Sequence, residues 1–378
     1  VAHVVGHVDN VHSHQNGDIE SVSTKDGKKI VGDLFIDCSG HSGLLINKHF
    51  TIPWIPVKRT MLNDRAVALQ VPYSNEDAEI KSTTVATAQT CGWTWDIALQ
   101  HRRGVGLVYS SQFTNEDQAK QVLIDYVRER YPSAQDAELS FRTLSFEPGY
   151  RSQFWVKNCL SLGMSSGFVE PLEASAIAMV ELGLRMLCEA FPQNKVHMEI
   201  ASKRYNSRFA YRWQRVIDFL KLHYALSDRE EPYWLAQRDK ASIPDSLAEL
   251  LELWKYQSPS RLDLIENEEI FPSASYQYVL YGMGFSSSTS PLRLNEEHKR
   301  KAVHIRETLQ QTKNAYLQGL PSNRVLLNDI AKRYNNEKQH VPSLAQREKN
   351  EHASVSSCND IKNTSDKKDT SYDRIGFR

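Results

Sequence analysis

The sequence predicts an α/β fold in which a β-rich first half is followed by a mostly helical second half. Two observations carry this prediction. Up to about residue 111, apolar residues occur in short runs separated by glycine-containing turns, as in strands joined by hairpins. From about residue 171 onward, apolar residues recur at intervals of three and four, which is the spacing of amphipathic helices.

Length and composition are those of an ordinary globular protein. The chain has 378 residues with 46 basic and 46 acidic side chains, so its formal net charge is zero. At about 150 residues per domain, this length accommodates two or three domains. The balanced charge argues against a general nucleic-acid binder, and no apolar run approaches the roughly 20 residues that span a bilayer. The five scattered cysteines, without a CxxC pair, indicate a reduced protein of the cytoplasm without a disulfide framework.

The start of the chain is strand-like and rich in histidine. It begins at Val1 rather than at a methionine, so we expect the sequence to be part of a longer protein. The histidines in this region are irregularly spaced, at His3, His7, His12 and His14. Because they match no recognised ligand set, we expect a solvated or partner-facing strand and no metal site.

The strands of the first half are bounded by clear turn signals. Asn16-Gly17 and Asp26-Gly27 are hairpin turns. The run at residues 31–40 has an apolar centre flanked by glycine, which is typical of a buried parallel strand. Further strands are predicted at residues 65–71, 92–99 and 105–111, the last two forming a hairpin with its turn at residues 101–104.

Helices follow. Thr114 is the predicted N-cap of a helix that runs to about residue 130. Pro171 is predicted to open another helix, whose apolar residues at helical spacing are Ile177, Val180, Leu184 and Leu187. The remaining predicted helices cover residues 195–226, 245–256 and 295–317. Residues 335–378 are polar and poor in aromatic side chains, so we predict a disordered tail there.

Three segments carry most of the functional information. They are residues 33–40 (DLFIDCSG), 92–97 (GWTWDI) and 163–177 (GMSSGFVEPLEASAI). In this order they resemble the flavin-dependent tryptophan halogenase family, and the resemblance covers roughly residues 1–320. It implies the C-terminal part of an FAD-binding, flavoprotein monooxygenase-like fold with a mostly α-helical substrate region. We accordingly assign residues 1–170 to the remainder of the FAD-binding domain with interleaved β-sheet, and residues 171–334 to a helical FAD and substrate region.

For the cofactor, the resemblance implies FAD contacts at Val8, Ser39, Gly40, Met164 and Ile177. The residues themselves support a coarser statement, because a strand that ends in a small-residue turn lets the backbone approach a dinucleotide closely. A buried strand with a tight turn, and no ligand, is the alternative that the residues leave open.

The second segment contains two tryptophans. Trp93 and Trp95 are two residues apart in a predicted strand, which places them on one face, with Thr94 and Asp96 on the other. With Ile97 they are similar to the family's signature. The resemblance implies an aromatic wall that keeps flavin chemistry from hydroxylating the substrate. An aromatic core stripe is the alternative.

The third segment carries the implied chemistry, because Glu173 matches the family's catalytic glutamate. With Pro171 at the first helical position, we expect Glu173 in the first turn of a helix, where unpaired amides and the helix dipole favour an anion. The resemblance places the halide at Ser175 and Ala176, where better-known members have threonine and glycine. A glutamate that is merely stabilised by a helix N-terminus is the alternative, and Glu170 is interpreted as structural.

The implied role of Glu173 involves a partner that this sequence does not contain. The glutamate would help a catalytic lysine to present an electrophilic halogen, or would stabilise the cationic ring and take its proton. The family's Gly-x-Gly-x-x-Gly turn and that lysine would both lie upstream of Val1. We therefore expect residues 1–378 alone to bind FAD weakly and to be inactive, and the intact gene product to be active.

The substrate end departs from the tryptophan-specific pattern. By resemblance, Glu266 and Phe271 contact the substrate, and Phe271 replaces an indole-stacking tryptophan. Pro259 and Ser260 stand where paired tyrosines are expected. Free tryptophan, another indole, a peptide-bound residue and a phenol are therefore all candidate substrates. Core packing is the alternative interpretation of the aromatic residues that follow.

The leading hypothesis is a halogenase that acts on an electron-rich aromatic such as tryptophan or another indole. It would use oxygen, chloride or bromide, and FAD that a separate flavin reductase has reduced. The implied partners are the small aromatic substrate and that reductase, without nucleic acid or membrane, and a homodimer is left open. One alternative is a flavin monooxygenase on the same scaffold, suggested by Ala98 in place of the family's proline and by the altered halide positions. Another is an inactive fragment.

Overall fold

The structure is a computed structural model, and it describes residues 1–131, 134–135, 139–266, 268–288 and 295–340. Its strands are β1 Val8–Ser13, β2 Ile19–Thr24, β3 Lys29–Val31, β4 Phe35–Asp37, β5 Trp54–Pro56, β6 Arg65–Pro72, β7 Val85–Gln89, β8 Gly92–Ala98, β9 Arg102–Tyr109, β10 Phe141–Ser145, β11 Gly149–Arg151, β12 Trp155–Val156, β13 Cys159–Ser161 and β14 Gly167–Phe168. Its α-helices are α1 Glu116–Arg130, α2 Ser175–Glu189, α3 Lys195–Ala225, α4 Pro232–Arg238, α5 Asp245–Leu253, α6 Ser273–Gly282, α7 Glu296–Gly319 and α8 Asn323–His340. Strands dominate the first half and helices the second, which confirms the predicted α/β class.

The strands of the described residues form four sheets. One is the three-stranded sheet β1-β2-β3, and the largest has five antiparallel strands in the order β10-β6-β9-β8-β7. The other two are β14-β11-β5 and β12-β13-β4, and in the latter β4 pairs in parallel with β13. The predicted parallel strand is therefore confirmed, although Ile36 within it is 41% exposed.

The predicted turns are confirmed in the first sheet and shifted in the hairpin of the second. Gly17 and Gly27 both adopt positive φ, 85° and 82°, between antiparallel strands. In the β8–β9 hairpin, the amide of Leu99 donates to the carbonyl of Arg102. This bond closes the turn earlier than the sequence predicted, so that β9 begins at Arg102.

Helix α1 packs on the five-stranded sheet. Its N-cap is Asn115 rather than the predicted Thr114, because the Asn115 side chain accepts a hydrogen bond from the Gln118 amide and the Gln118 side chain accepts one from the Asn115 amide. The buried cluster between helix and sheet contains Val67, Leu69, Val105, Leu107, Ala119, Leu123 and Val127.

The main core surrounds α3, which the sequence predicted to within one residue. Helix α2 packs against α3 through a face different from the predicted one, since Ile177 is 74% exposed whereas Met179 is buried. The physical reason is Gly183. A Cβ atom there would lie 2.6 Å from the Tyr205 hydroxyl, so the glycine allows α2 to approach α3 closely. Leu187 alone of the four predicted apolar positions is buried.

The second half also contains helices that the sequence analysis missed, namely α4, α6 and α8. Helix α5 ends at Leu253, three residues before the predicted end. None of the described helices is both long and apolar enough to cross a membrane.

By its internal contacts the chain divides into two compact units, Val1–Leu317 and Gln318–Arg378. The proposed boundary between residues 170 and 171 stays a prediction. Of the predicted tail, residues 341–378 lie outside the described residues, while residues 335–340 belong to α8.

Candidate functional site

The turn after β4 is fixed by a carboxylate that the sequence analysis did not single out. Asp37 is 2% exposed. Its side chain accepts hydrogen bonds from the amide and hydroxyl of Ser39 at 3.0 and 2.6 Å, and from the amides of Leu45 and Ile46 at 2.8 Å. Four donors on one buried carboxylate hold the Ser39–Gly40 turn against the helical segment that follows. An aspartate at the end of a strand, directly before small residues, was the available signal.

Three of the predicted cofactor residues, Ser39, Gly40 and Met164, lie at this turn. Gly40 has φ +69°, and a Cβ atom built on it would lie 3.8 Å from the Met164 methyl group. Met164 is 45% exposed, in the 3₁₀ turn Gly163–Ser165. Gly163 in turn faces Val180 of α2, with 3.7 Å between its built Cβ and a Val180 methyl. The structure thus places the Ser39–Gly40 turn, Met164 and α2 next to one another.

The other two predicted cofactor residues are placed differently. Ile177 lies in the first turn of α2 and is 74% exposed, so its side chain is available to a ligand. Val8 lies in β1 and packs against the small buried cluster that contains Ile19 and Val22. Its cofactor contact stays a prediction.

The segment from Pro171 to Ser175 has a conformation that the sequence analysis did not predict. Pro171 does not open the helix, because α2 begins at Ser175. Before it, Glu173 and Ala174 adopt left-handed backbone conformations, with φ of 62° and 50°. Such conformations cost about 1–3 kcal/mol for residues other than glycine and persist only where the surroundings enforce them. Glu173 therefore precedes the helix, on a strained turn.

The predicted halide residues lie in the first turn of α2. Ser175 is buried and Ala176 is exposed. The N-cap residue is Ala174, which has no side-chain oxygen with which to cap the first-turn amides. These amides also lack intrahelical partners. The halide role of Ser175 and Ala176 stays a prediction. The uncapped amides of this helix terminus are compatible with it.

Glu173 contacts a histidine from α3. Its Oε1 atom lies 3.2 Å from Nε2 of His223, and its side chain is 40% exposed. The interaction with His223 lowers the pKa of Glu173, against the opposing effect of burial. At neutral pH the side chain is therefore a carboxylate and can accept a proton. His223 is 50 residues away in the sequence, and no local pattern pointed to it.

Three residues earlier, Glu170 is buried beneath the strained turn. It is 3% exposed and accepts hydrogen bonds from Tyr224 and Asn63. Burial raises the pKa of Glu170, while these hydrogen bonds act in the opposite direction. The interpretation of Glu170 as a structural residue stays a prediction. Its buried contacts agree with it, since they anchor the chain just before Pro171.

The hydrogen bonds continue from Glu170 to a buried lysine. The Tyr233 hydroxyl donates to Asn63 Oδ1 at 3.0 Å and accepts from Gln237 Nε2 at 3.1 Å. Lys221, which is 0% exposed, donates to Gln237 Oε1 at 2.8 Å and to the Thr60 carbonyl at 3.0 Å. Burial lowers the pKa of Lys221 to about 7, and the carboxylates of the region only partly offset this.

The two tryptophans lie on one face of β8, as predicted. The rings of Trp93 and Trp95 are 6.4 Å apart and meet edge to face. Thr94 and Asp96 are buried on the opposite face, toward α1, where Tyr131 donates to Asp96. Ile97, the third signature residue, is 39% exposed.

A glycine on the neighbouring strand makes room for Trp95. Gly106 pairs with Trp95 across the sheet, and a Cβ atom there would lie 2.1 Å from the indole ring. We expect Gly106→Ala to displace Trp95 and to lower the free energy of unfolding by about 1–3 kcal/mol, the usual cost of overpacking. Urea denaturation followed by tryptophan fluorescence measures both effects. Gly104→Ala is the matched control on the same strand, because a Cβ atom there meets nothing within 4 Å. Equal shifts in the two variants would contradict the expectation.

The predicted substrate residues differ in their surroundings. Phe271 is 8% exposed and stacks on Phe219 of α3, with 3.9 Å between ring centroids. The rings of Phe219 and His223 meet edge to face, with 5.2 Å between their centroids. Phe271 is therefore linked to Glu173 through the rings of Phe219 and His223. Glu266 instead lies near Arg208, with 3.9 Å between charged atoms. The substrate contacts of Glu266 and Phe271 stay predictions.

Known proteins resemble this chain in sequence and in structure. A sequence model of the tryptophan halogenase family matches residues 1–296. The chain is similar to tryptophan 6-halogenase SttH from Streptomyces toxytricini, with 37% identity over 285 residues, which cover 75% of this chain and 53% of that protein.

Solved structures give the same result. A tryptophan halogenase from Shewanella frigidimarina NCIMB 400 has a TM-score of 0.83 and 44% identity, over 87% of this chain and 62% of that one. A flavin-dependent halogenase from Xanthomonas campestris has a TM-score of 0.74 and 31% identity, over 86% of this chain and 64% of that one. The chain thus spans about half to two thirds of the length of these relatives. It belongs to the tryptophan halogenase family.

Proposed function

We propose that the gene product containing residues 1–378 is a flavin-dependent halogenase that acts on an electron-rich aromatic ring, with tryptophan or another indole as the substrate. The observation that carries the proposal is the strained turn at Glu173, which presents an ionised carboxylate directly before the uncapped first turn of α2. The relatives are named for the same reaction, as tryptophan halogenases and flavin-dependent halogenases.

The residues present fit a flavin. Gly40 has a positive φ and no side chain, and exposed apolar side chains of Met164 and Ile177 lie in the two elements next to it. A flat ring system can contact this surface, with the Ser39–Gly40 backbone at its edge. When bound, reduced FAD together with oxygen and halide supplies the electrophilic halogen. Ser175 and the first-turn amides of α2 would hold the halide.

The role of Glu173 follows from its ionisation state. When an aromatic ring adds an electrophilic halogen, it becomes cationic and must then lose the proton from the substituted carbon. A carboxylate beside the ring stabilises that positive charge and accepts the proton. Because the interaction with His223 lowers the pKa of Glu173, the carboxylate is in the required state at neutral pH.

The remaining parts of the proposal concern partners and location. We propose a separate flavin reductase as the source of reduced FAD and leave a homodimer open. The cytoplasm is the proposed location, because the four described cysteines, Cys38, Cys91, Cys159 and Cys188, are all free thiols.

The full-length gene product tests the function. It is supplied with FAD, a flavin reductase, oxygen and either chloride or bromide, and is offered tryptophan, other indoles and phenols. We expect product formation that requires halide, with chlorinated and brominated products distinguished by mass spectrometry. Oxygenated product that forms equally well without halide would replace the proposal with the monooxygenase alternative. No halogenated product from any of these aromatics would overturn it.

A further inference from the structure

His223 has two neighbours that both accept hydrogen bonds. Its Nδ1 atom lies 2.9 Å from the carbonyl oxygen of Phe219, one helical turn earlier in α3. Its Nε2 atom lies 3.2 Å from Oε1 of Glu173. The ring is 21% exposed and rests against the edge of Phe219, so few other orientations satisfy both nitrogens.

These neighbours determine where the protons lie. A carbonyl oxygen can only accept, so Nδ1 must carry a hydrogen. In the neutral ring, Nε2 would then present a lone pair to a carboxylate that also has only lone pairs, and the contact would be repulsive. The observed distance therefore requires one proton between Nε2 and Glu173.

We propose that His223 is a positioning residue for Glu173, which it holds through an Nε2–H to carboxylate hydrogen bond. The inference rests on the proposed function, since it concerns the glutamate assigned there as the proton acceptor. It explains how a half-exposed side chain on a strained turn keeps one orientation. His223 lies in the last turn of a 31-residue helix and is backed by the Phe219–Phe271 stack, so it is a rigid support.

Two substitutions separate this role from packing. In His223→Gln, the side-chain amide nitrogen can occupy the position of Nε2 and donate to Glu173. In His223→Asn, the shorter amide can reach only the position of Nδ1. We expect His223→Asn to lower the kcat of the full-length gene product by about 10–100-fold with KM within about threefold, because small misplacements of a reacting group have effects of this size. We expect His223→Gln to retain activity within about fivefold of the wild type. Equal losses in both variants, with equal thermal stability, would overturn the proposal.

A spectroscopic test does not depend on turnover. Nitrogen-15 NMR of histidine-labelled full-length protein reports which ring nitrogens are protonated, and the signal that disappears in His223→Asn belongs to His223. We expect a proton on Nε2 in the wild type, in the contact with Glu173, and loss of that proton in Glu173→Gln. An unprotonated Nε2 that is insensitive to Glu173→Gln would overturn the positioning role. If the expected spectra appear but no halogenation is found, the proposed function fails while the proton-sharing contact stands.

Discussion

Glu173→Gln is expected to lower the halogenation rate of the full-length gene product by about 10²–10⁴-fold, the contribution typical of a general base or acid. Glutamine has nearly the shape of glutamate but neither carries the negative charge that stabilises the cationic ring nor accepts its proton. The left-handed backbone conformation at this position, with φ of 62°, does not depend on the charge of the side chain. The substitution therefore tests chemistry more than folding.

Initial rates of product formation, at saturating halide and reduced flavin, measure this effect. The matched control is Glu181→Gln, an exposed glutamate on α2 that is expected to leave the rate unchanged. Substrate binding is followed separately, since a change in KM alone would indicate a binding role. A Glu173→Gln variant that turns over at the rate of the Glu181→Gln control would show that another group takes the proton.

The second large effect concerns the buried Lys221. Its pKa is lowered to about 7 in the folded protein from 10.5 in the unfolded chain. Between these values the unfolded state binds more protons than the folded state, so stability must rise with pH. We expect the free energy of unfolding of the wild type to rise by about 2 kcal/mol from pH 7 to pH 9 relative to Lys221→Met.

Urea denaturation at several pH values within this window measures the difference. Lys221→Met fills a similar volume without a titrating group, although it leaves Gln237 and the Thr60 carbonyl without their donor. The stability of Lys221→Met at any single pH is therefore less informative than the slope of its free energy of unfolding against pH. Lys203→Met, at an exposed position on the same helix, is the control and should keep the wild-type slope. If the free energy of unfolding changed equally with pH in the wild type and in Lys221→Met, Lys221 would be charged in the folded protein.

Lys221 and Glu170 form the two ends of one buried network. Each hydrogen bond in it runs from donor to acceptor in the same direction, from Lys221 through Gln237, Tyr233 and Asn63 to Glu170. The side-chain amides of Gln237 and Asn63 do not exchange protons readily. The network therefore orients side chains and does not conduct protons. It anchors Glu170, just before the strained turn, while His223 of α3 contacts Glu173.

Much of the local structure could be predicted from the sequence. Period-two spacing placed Trp93 and Trp95 on one strand face, and glycine turns placed the first hairpins, because these features depend on neighbouring residues only. The helix after Pro171 was placed four residues too early. Its start depends on the left-handed residues Glu173 and Ala174, which no propensity favours.

The sequence by itself determined the family resemblance, the α/β class, the strand that carries the tryptophans and the glutamate to which a chemical role is proposed. Only the tertiary structure decided what surrounds that glutamate. His223 is 50 residues from Glu173, and Asn63 is 107 residues from Glu170. Such contacts depend on how α3 packs against α2 and β12 and on the close approach at Gly183. Local spacing carries no information about distances of this kind, because packing of whole elements sets them.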